Sequence, residues 1–374
     1  MPQPSIANEQ VGESRPLLGI TEEGQKIYWE FGSRKLANRH LVIGGRSGQG
    51  KTYFIQSVLR QLANQDQSAL IIDYSSSYTR TQLDEAFLDK VGDKFNERVV
   101  YFDGFPINPF VRREKVVSGQ VGKEPITETA SRLQEVFTNV YQFGPQQSNA
   151  LYRVAKKCIE MYGDKATLPL MMEILAESED ITNSVADTIA NKLALFVDID
   201  PFSYKEEFTW NDYFNEAGQI SVIQFEGFEQ DTIKKVMTEF ILWDLWYFAQ
   251  SNTAARPLPI ILDEAQNLNF KAGSPSDKIL REGRKFGMSV WFATQTFSNF
   301  QKEELVVLEN AATSIFFKPS ESELKLVADK LDMKKNTDPL RMLKKGECIV
   351  QGQFMEQDEL APQATKLVKV PAME

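Results

Sequence analysis

Eight consecutive residues, Gly45-Arg46-Ser47-Gly48-Gln49-Gly50-Lys51-Thr52, satisfy the pattern G-x-x-x-x-G-K-[ST] at every fixed position. Glycines at 45, 48 and 50 let the main chain take positive φ and pass close to a ligand, so successive backbone N–H groups can converge on an anion. A helix starting here adds the positive end of its dipole. Lys51 is placed to reach the β- and γ-phosphates of a nucleoside triphosphate, and the Thr52 hydroxyl to coordinate Mg²⁺. The competing reading is an ordinary glycine-rich turn with a solvent-facing lysine, and the flanks weigh against it. His40-Leu41-Val42-Ile43-Gly44 reads as a short buried strand, and Ile55, Val58, Leu59 and Leu62 share one helical face after the loop.

Two further stations lie downstream. The run Pro259-Ile260-Ile261-Leu262 ends in Asp263 and Glu264. Side chains alternate along a strand, so these carboxylates point different ways and take different roles. Asp263 is expected on Mg²⁺, directly or through water, and Glu264 as the general base that orients the attacking water. The pair could also cap a short helix near Asn267; its company with a phosphate loop favours the catalytic reading. The third run, Gly287 to Ala293, ends in Thr294-Gln295-Thr296. Gln295 both donates and accepts hydrogen bonds, which suits a sensor touching γ-phosphate and water together. A polar strand end facing solvent is the alternative.

These stations, with Leu280-Arg281-Glu282-Gly283-Arg284-Lys285-Phe286-Gly287 ahead of the third strand, resemble the HerA/FtsK superfamily of ring-forming motor ATPases. The match is to the HerA-like branch, which also includes conjugative and secretion ATPases. Leu70-Ile71-Ile72-Asp73, Ile107-Asn108-Pro109-Phe110 and Phe225-Glu226-Gly227 echo it more weakly, and the likeness runs from about Leu18 to Gly352. The chain as a whole resembles the motor portion of DptH-type proteins of phosphorothioation-dependent DNA restriction. The resemblance implies ATP and Mg²⁺ as cofactors and a homohexameric ring acting on double-stranded DNA. It also implies partner proteins of a defence or DNA-processing complex. In related motors the Gly-Arg of this segment supplies an arginine finger to the neighbouring subunit's nucleotide, a role that would fall to Arg284. Arg281 is the rival, and a plain surface or DNA-contacting pair is the bland alternative.

Two departures stand out. HerA-type proteins usually carry an N-terminal barrel, whereas about 40 residues precede the loop here, which suggests a bare motor domain or a fragment. Many relatives have a Gly-Glu pair after the strand ending at Asp73; this chain has Tyr74-Ser75-Ser76-Ser77.

The elements that must carry these residues read as an α/β fold, a RecA-like P-loop NTPase with a mainly parallel central sheet. Residues 1–17 are polar and proline-containing and are expected to be a disordered tail. Residues 18–123 hold the first part of the core, with strands near 40–44, 68–73 and 97–103. Between 124 and 200 the pattern turns helical, an all-α insertion. Residues 201–356 complete the core, with a strand at 219–225, the long helix Asp231–Gln250, and a strand order that inserts one strand between the loop strand and the Asp263 strand. Residues 357–374 are left as a C-terminal tail.

With 374 residues, 42% of them hydrophobic, the chain can bury a large core. No apolar run approaches the roughly 18 residues of a membrane span, and Met1-Pro2-Gln3-Pro4 opens no signal peptide, so a cytoplasmic chain with no membrane partner is expected. Cys158 and Cys348 offer no metal spacing and read as buried apolar residues. His40, the single histidine, argues against a histidine-based dyad, triad or zinc site and reads as a hydrogen-bonding strand end. A net charge of −10 argues against a nucleic-acid-coating module. Local basic patches remain: Lys271 to Gly287 carries net +3, and Arg112, Arg113, Lys115 and Lys123 form a weaker cluster.

Overall fold

The apolar runs that end at the three stations become neighbouring parallel strands. The computed structural model describes residues 14–33, 35–204, 206–214, 216–251, 257–333, 336–356 and 359–373. Its strands are β1 (Leu17–Ile20), β2 (Lys26–Tyr28), β3 (Leu41–Gly44), β4 (Ala69–Asp73) and β5 (Phe95–Val99). A separate hairpin, β6 (Glu114–Val117) with β7 (Gln120–Lys123), is followed by β8 (Ile220–Gln224), β9 (Leu258–Leu262), β10 (Met288–Thr294) and β11 (Thr313–Phe317). The last are β12 (Glu347–Gly352), the short pair β13 (Met355–Glu356) and β14 (Glu359–Leu360), and β15 (Ala364–Lys369). Among the described residues the main sheet has the order β2-β1-β15-β12-β11-β3-β10-β9-β4-β8-β5.

From β11 to β8 the neighbours run parallel. Every residue of β3, β4, β8, β9 and β10 is buried. That is the pattern of a sheet covered on both faces, and it explains why these strands read as unbroken apolar runs. β10 lies between β3 and β9, the inserted strand that was expected. Helix Lys51–Ala63 packs Phe54, Ile55, Val58, Leu59 and Leu62 onto Ile43, Ile71, Ile261, Trp291 and Phe317. Truncating one such leucine to alanine costs about 2–5 kcal/mol.

The structure departs from expectation at the sheet's other wing. β12, β15, β1 and β2 add antiparallel strands to β11, so the segment read as a C-terminal tail is largely strand. Only alternate residues of β15 are covered, and a half-buried strand leaves no apolar run to read. Val368 is fully buried there and occupies the space a side chain at Gly19 would need; a Cβ at 19 would stand 2.5 Å from its Cγ2. Of the expected N-terminal tail, residues 1–13 lie outside the described residues, while Arg15 bonds to Glu30 at 2.8 Å and Leu17 opens β1. The strand expected at 97–103 ends at Val99, and Val100–Asp103 is a helical turn.

The chain divides into two compact units, Met1–Arg98 with Trp210–Gln224 and Asn252–Glu374, and Val99–Thr209 with Phe225–Ser251. The second unit contains helices Ile126–Tyr141, Pro145–Tyr162, Leu168–Ala176 and Asn183–Ile199, the helical insertion. It also takes in Asp231–Ser251, which was expected with the core. Phe240 of that helix lies 5.6 Å from Phe137 and 5.8 Å from Phe202, ring centroid to ring centroid. Trp243 and Trp246 are buried beside its expected stripe.

Candidate active site

Parallel register brings the three stations to one edge. Thr294 pairs with Gly44 and Phe292 with Leu262, so Gln295 stands beside the first glycine of the loop and Glu264 is level with Thr294. The loop is pinned on both sides: Arg46 N–H donates to Lys318 O at 3.0 Å, and Gly346 N–H donates to Gln49 O at 2.9 Å. Gly45 has φ 142°, and a Cβ there would sit 2.7 Å from Phe317 Cβ and 3.0 Å from its backbone. Helix Lys51–Ala63 starts from left-handed Gly50 with no side-chain cap and no acidic residue in its first turn. Its first N–H groups are thereby left for an anion. Lys51 Nζ bridges the loop, donating to Gly45 O at 2.6 Å and Arg46 O at 3.2 Å. Burial lowers the Lys51 pKa, with Glu264 and Asp263 acting in the opposite sense. Beside the loop, Tyr53, Met342, Lys344, Gly346 and Val370 help line a cavity of about 1080 Å³, and the Tyr53 hydroxyl accepts from Met373 N–H at 2.6 Å.

Asp263 and Glu264 do diverge. Asp263 is 9% exposed, and its Oδ2 accepts from the Ser75 hydroxyl. Burial first, then the Asp73 carboxylate, pushes its pKa up to about 7. Glu264 sits at φ 52°, ψ 49°, the left-handed region. A non-glycine residue held there stores strain, and strain of this kind gathers at functional sites. Its Oε1 accepts from Gln295 Nε2 and its Oε2 from Gln266 Nε2, while Thr294 Oγ1 donates to Gln266 Oε1 at 2.6 Å. Glu264 and Gln295, expected as proton acceptor and sensor, are therefore in direct contact. The oxygen donors Thr52 and Asp263, with phosphate and water to complete the set, suit a small hard cation such as Mg²⁺.

The model of the family described as "Helicase HerA, central domain" matches residues 20–244. The chain belongs to that family. Within it, the DNA double-strand break repair helicase HerA of Saccharolobus solfataricus is 21% identical over 347 residues, 90% of this chain and 63% of that protein. The Sulfurisphaera tokodaii protein of the same name is 21% identical, with 85% and 63% covered. This HerA-family chain thus spans 63% of the length of these curated relatives. Among solved structures, VirB4 of Thermoanaerobacter pseudethanolicus matches with TM-score 0.70 and 16% identity, covering 96% of this chain and 97% of that one. The plasmid coupling protein TrwB in complex with ADP and Mg²⁺ matches with TM-score 0.62 and 14% identity, covering 98% and 92%. These likenesses show the fold, that of RecA-like P-loop ATPases.

Arg284 is not brought to this edge. It is exposed on the turn Gly283–Phe286, ahead of β10. The seven residues of β10 therefore separate it from Gln295 by roughly 20 Å. Arg281, also exposed, pairs with Asp277. The weaker basic cluster is largely neutralised within its own unit: Arg113 pairs with Asp244, Lys115 with Glu128, and Lys123 with Asp164. His40 behaves as expected; its buried Nδ1 accepts from Val290 N–H at 3.0 Å, and burial lowers its pKa to about 4. Cys158 and Cys348 are both buried free thiols.

Two carboxylates that hold this HerA-type site together escape a reading of the sequence. Buried Asp73 accepts from the N–H groups of Ser75, Ser77 and Tyr78 and from Gln224 Nε2. Buried Glu323 accepts from Phe297 N–H, Ser298 N–H and the Thr296 hydroxyl, fixing the chain just after Gln295. Asp73 ends a recognisable strand, a signal that could have been followed. Glu323 lies in the polar run Ser320-Glu321-Ser322-Glu323, where nothing marks it. Among the described residues no helix is long and apolar enough to cross a membrane.

Proposed function

We propose that this chain is a Mg²⁺-dependent ATPase that moves along or remodels double-stranded DNA as a ring-shaped homo-oligomer, a hexamer by resemblance. The observation that carries the reading is the meeting of Lys51 and Thr52 with Asp263, Glu264 and Gln295 at one sheet edge. The loop N–H groups and Lys51 hold the phosphates, and the cavity beside Tyr53 receives the base and sugar. Glu264 accepts the proton of the attacking water, and Gln295, bonded to Glu264, orients that water toward the γ-phosphate. Thr52 and Asp263 would hold Mg²⁺, which would supply neutralisation of the phosphate charge. Arg284, exposed and remote from its own protomer's site, completes the site of a neighbour. A guanidinium supplied across an interface makes turnover depend on assembly.

DNA as cargo is supported by family membership and by the printed names of the HerA relatives. A setting in a DNA defence or end-processing complex, with partner proteins, follows from the whole-chain resemblance to DptH-type motors. Contacts to the DNA backbone are electrostatic and release counterions, so duplex DNA should stimulate ATPase activity and the stimulation should fall steeply with salt, with little dependence on base sequence. A flat response of the assembled protein across low and moderate salt would instead favour two alternatives that the same active site allows, a secretion-type ATPase that translocates protein or a nucleotide-controlled assembly scaffold.

A further inference from the structure

The loop that follows β4 is built around an acceptor that has no capacity to spare. Asp73 takes four donors: the N–H groups of Ser75 (3.2 Å), Ser77 (3.1 Å) and Tyr78 (2.7 Å), and Gln224 Nε2 (2.8 Å). This carboxylate shapes the loop, and what the loop then presents to the active site is a set of hydroxyls. Ser75 Oγ donates to Asp263 Oδ2 and lies 2.7 Å from Ser77 Oγ. Tyr78 is fully buried in the sheet core. Its hydroxyl has no hydrogen-bond partner of acceptable geometry, although the Thr52 side chain is close enough to act on it. Burial, reinforced by Asp263 and Asp73, holds this phenol firmly protonated. It is therefore a neutral group that can donate one hydrogen bond and accept another.

A buried hydroxyl left unpaired is destabilising, a penalty that phenylalanine would avoid. Its placement has a chemical rationale. A threonine hydroxyl that gives a lone pair to a cation must turn its proton away, and needs an acceptor there. A carboxylate on the same cation needs its free oxygen held so that the other faces the metal. We propose that Tyr78 and Ser75 are positioning residues of the metal site: Tyr78 accepts the Thr52 proton and Ser75 fixes the Asp263 carboxylate, so that both ligands present lone pairs to Mg²⁺. The proposal rests on the reading of Thr52 and Asp263 as the metal's protein ligands. It gives the segment Tyr74-Ser75-Ser76-Ser77-Tyr78 a role carried by neutral hydroxyls.

Mn²⁺ titrated into the full chain with ADP, and followed by its EPR signal, tests this without turnover. Tyr78→Phe and Ser75→Ala should each weaken Mn²⁺ binding by about 10–100-fold, the usual cost of losing a group that orients a ligand. ADP affinity without metal should stay as in the parent. The ligand-free melting temperature should hold for Ser75→Ala, whose side chain is exposed, and hold or rise for Tyr78→Phe. Parental Mn²⁺ affinity in Tyr78→Phe overturns the role of Tyr78, and in Ser75→Ala that of Ser75. Thr52→Ala and Asp263→Asn separate the two levels. If they weaken Mn²⁺ binding while Tyr78→Phe and Ser75→Ala do not, the positioning idea alone fails; if they too bind Mn²⁺ normally, the ligand assignment fails with it.

Discussion

Replacing Glu264 with glutamine should stop hydrolysis while leaving the fold and nucleotide binding in place, and the structure sets the scale of each effect. Glutamine tolerates the left-handed backbone at 264 no worse than glutamate does. The two carboxylate oxygens now accept from two amides, Gln295 Nε2 and Gln266 Nε2. An amide at 264 offers one oxygen and one NH₂, so one of those contacts becomes donor against donor. Gln295 is exposed and can turn its own amide, so the loss is about 1 kcal/mol or less. In a chain of this size that lowers the melting temperature by about 4 °C at most. Removal of the proton acceptor lowers turnover by about 10²- to 10⁴-fold, which is about 3–5 kcal/mol on the barrier. The catalytic effect thus exceeds the structural one severalfold, and unfolding cannot mimic it. Nucleotide affinity should hold or improve, because a negative charge close to Lys51 is removed. Phosphate release, fluorescent-nucleotide binding and thermal melting on one preparation give all three values. Turnover above a tenth of the parent's would refute the assignment. Lost affinity with normal turnover per bound ATP would exchange the roles of Asp263 and Glu264.

Lys51→Ala removes the cation held over Gly45 and Arg46, and should abolish ATP binding or hydrolysis; normal affinity and turnover would remove the central claim. Arg284→Ala should bind ATP almost normally yet lose most hydrolysis, and regain part of it when mixed with Lys51→Ala subunits. Absence of rescue in demonstrably mixed rings, or near-normal turnover by Arg284→Ala alone, counts against a finger acting across subunits. The Asp263 pKa, raised from 3.8 to about 7, makes this group's contribution to stability fully present below about pH 3.8 and lost as pH rises through 7. Protons and metal therefore compete for it. Apparent Mg²⁺ affinity should rise about tenfold from pH 6 to pH 8; Asp263→Asn should flatten that rise, and an unchanged slope in that variant would locate the titrating group elsewhere.

The three stations were legible because strands buried on both faces are predominantly apolar along their length. A polar residue that ends such a run has therefore been placed there by something other than packing. Asp263, Glu264 and Gln295 carry that mark, while Lys51 is marked by the glycine pattern of its loop. β2 and β15 carry none, since a strand covered on one face mixes apolar residues with Lys and Thr. The stripe of Asp231–Ser251 was legible as well, but a stripe does not name its partner, and Phe137 lies about a hundred residues away in sequence. Asp73 ends an apolar run and so bears the mark as well, whereas Glu323 acts on backbone N–H groups 25 and 26 residues away that reach it only once the chain has folded, so its type alone says nothing. Arg284 was reached through resemblance, and its distance from its own site is information that only the fold supplies.

The ties from Gly346 N–H to Gln49 O and from Met373 N–H to the Tyr53 hydroxyl give the antiparallel wing an unexpected status. Every side chain with a proposed chemical role precedes residue 300, yet part of the wall of the proposed nucleotide pocket is built from residues beyond 340. A protein shortened at β12 would retain a full set of reactive groups and lose the frame that holds them to a nucleotide. One bond ties the wing to the phosphate loop at Gln49 and the other ties it to the helix that follows at Tyr53, so the loop and its helix are braced from the end of the chain that is farthest from them in sequence.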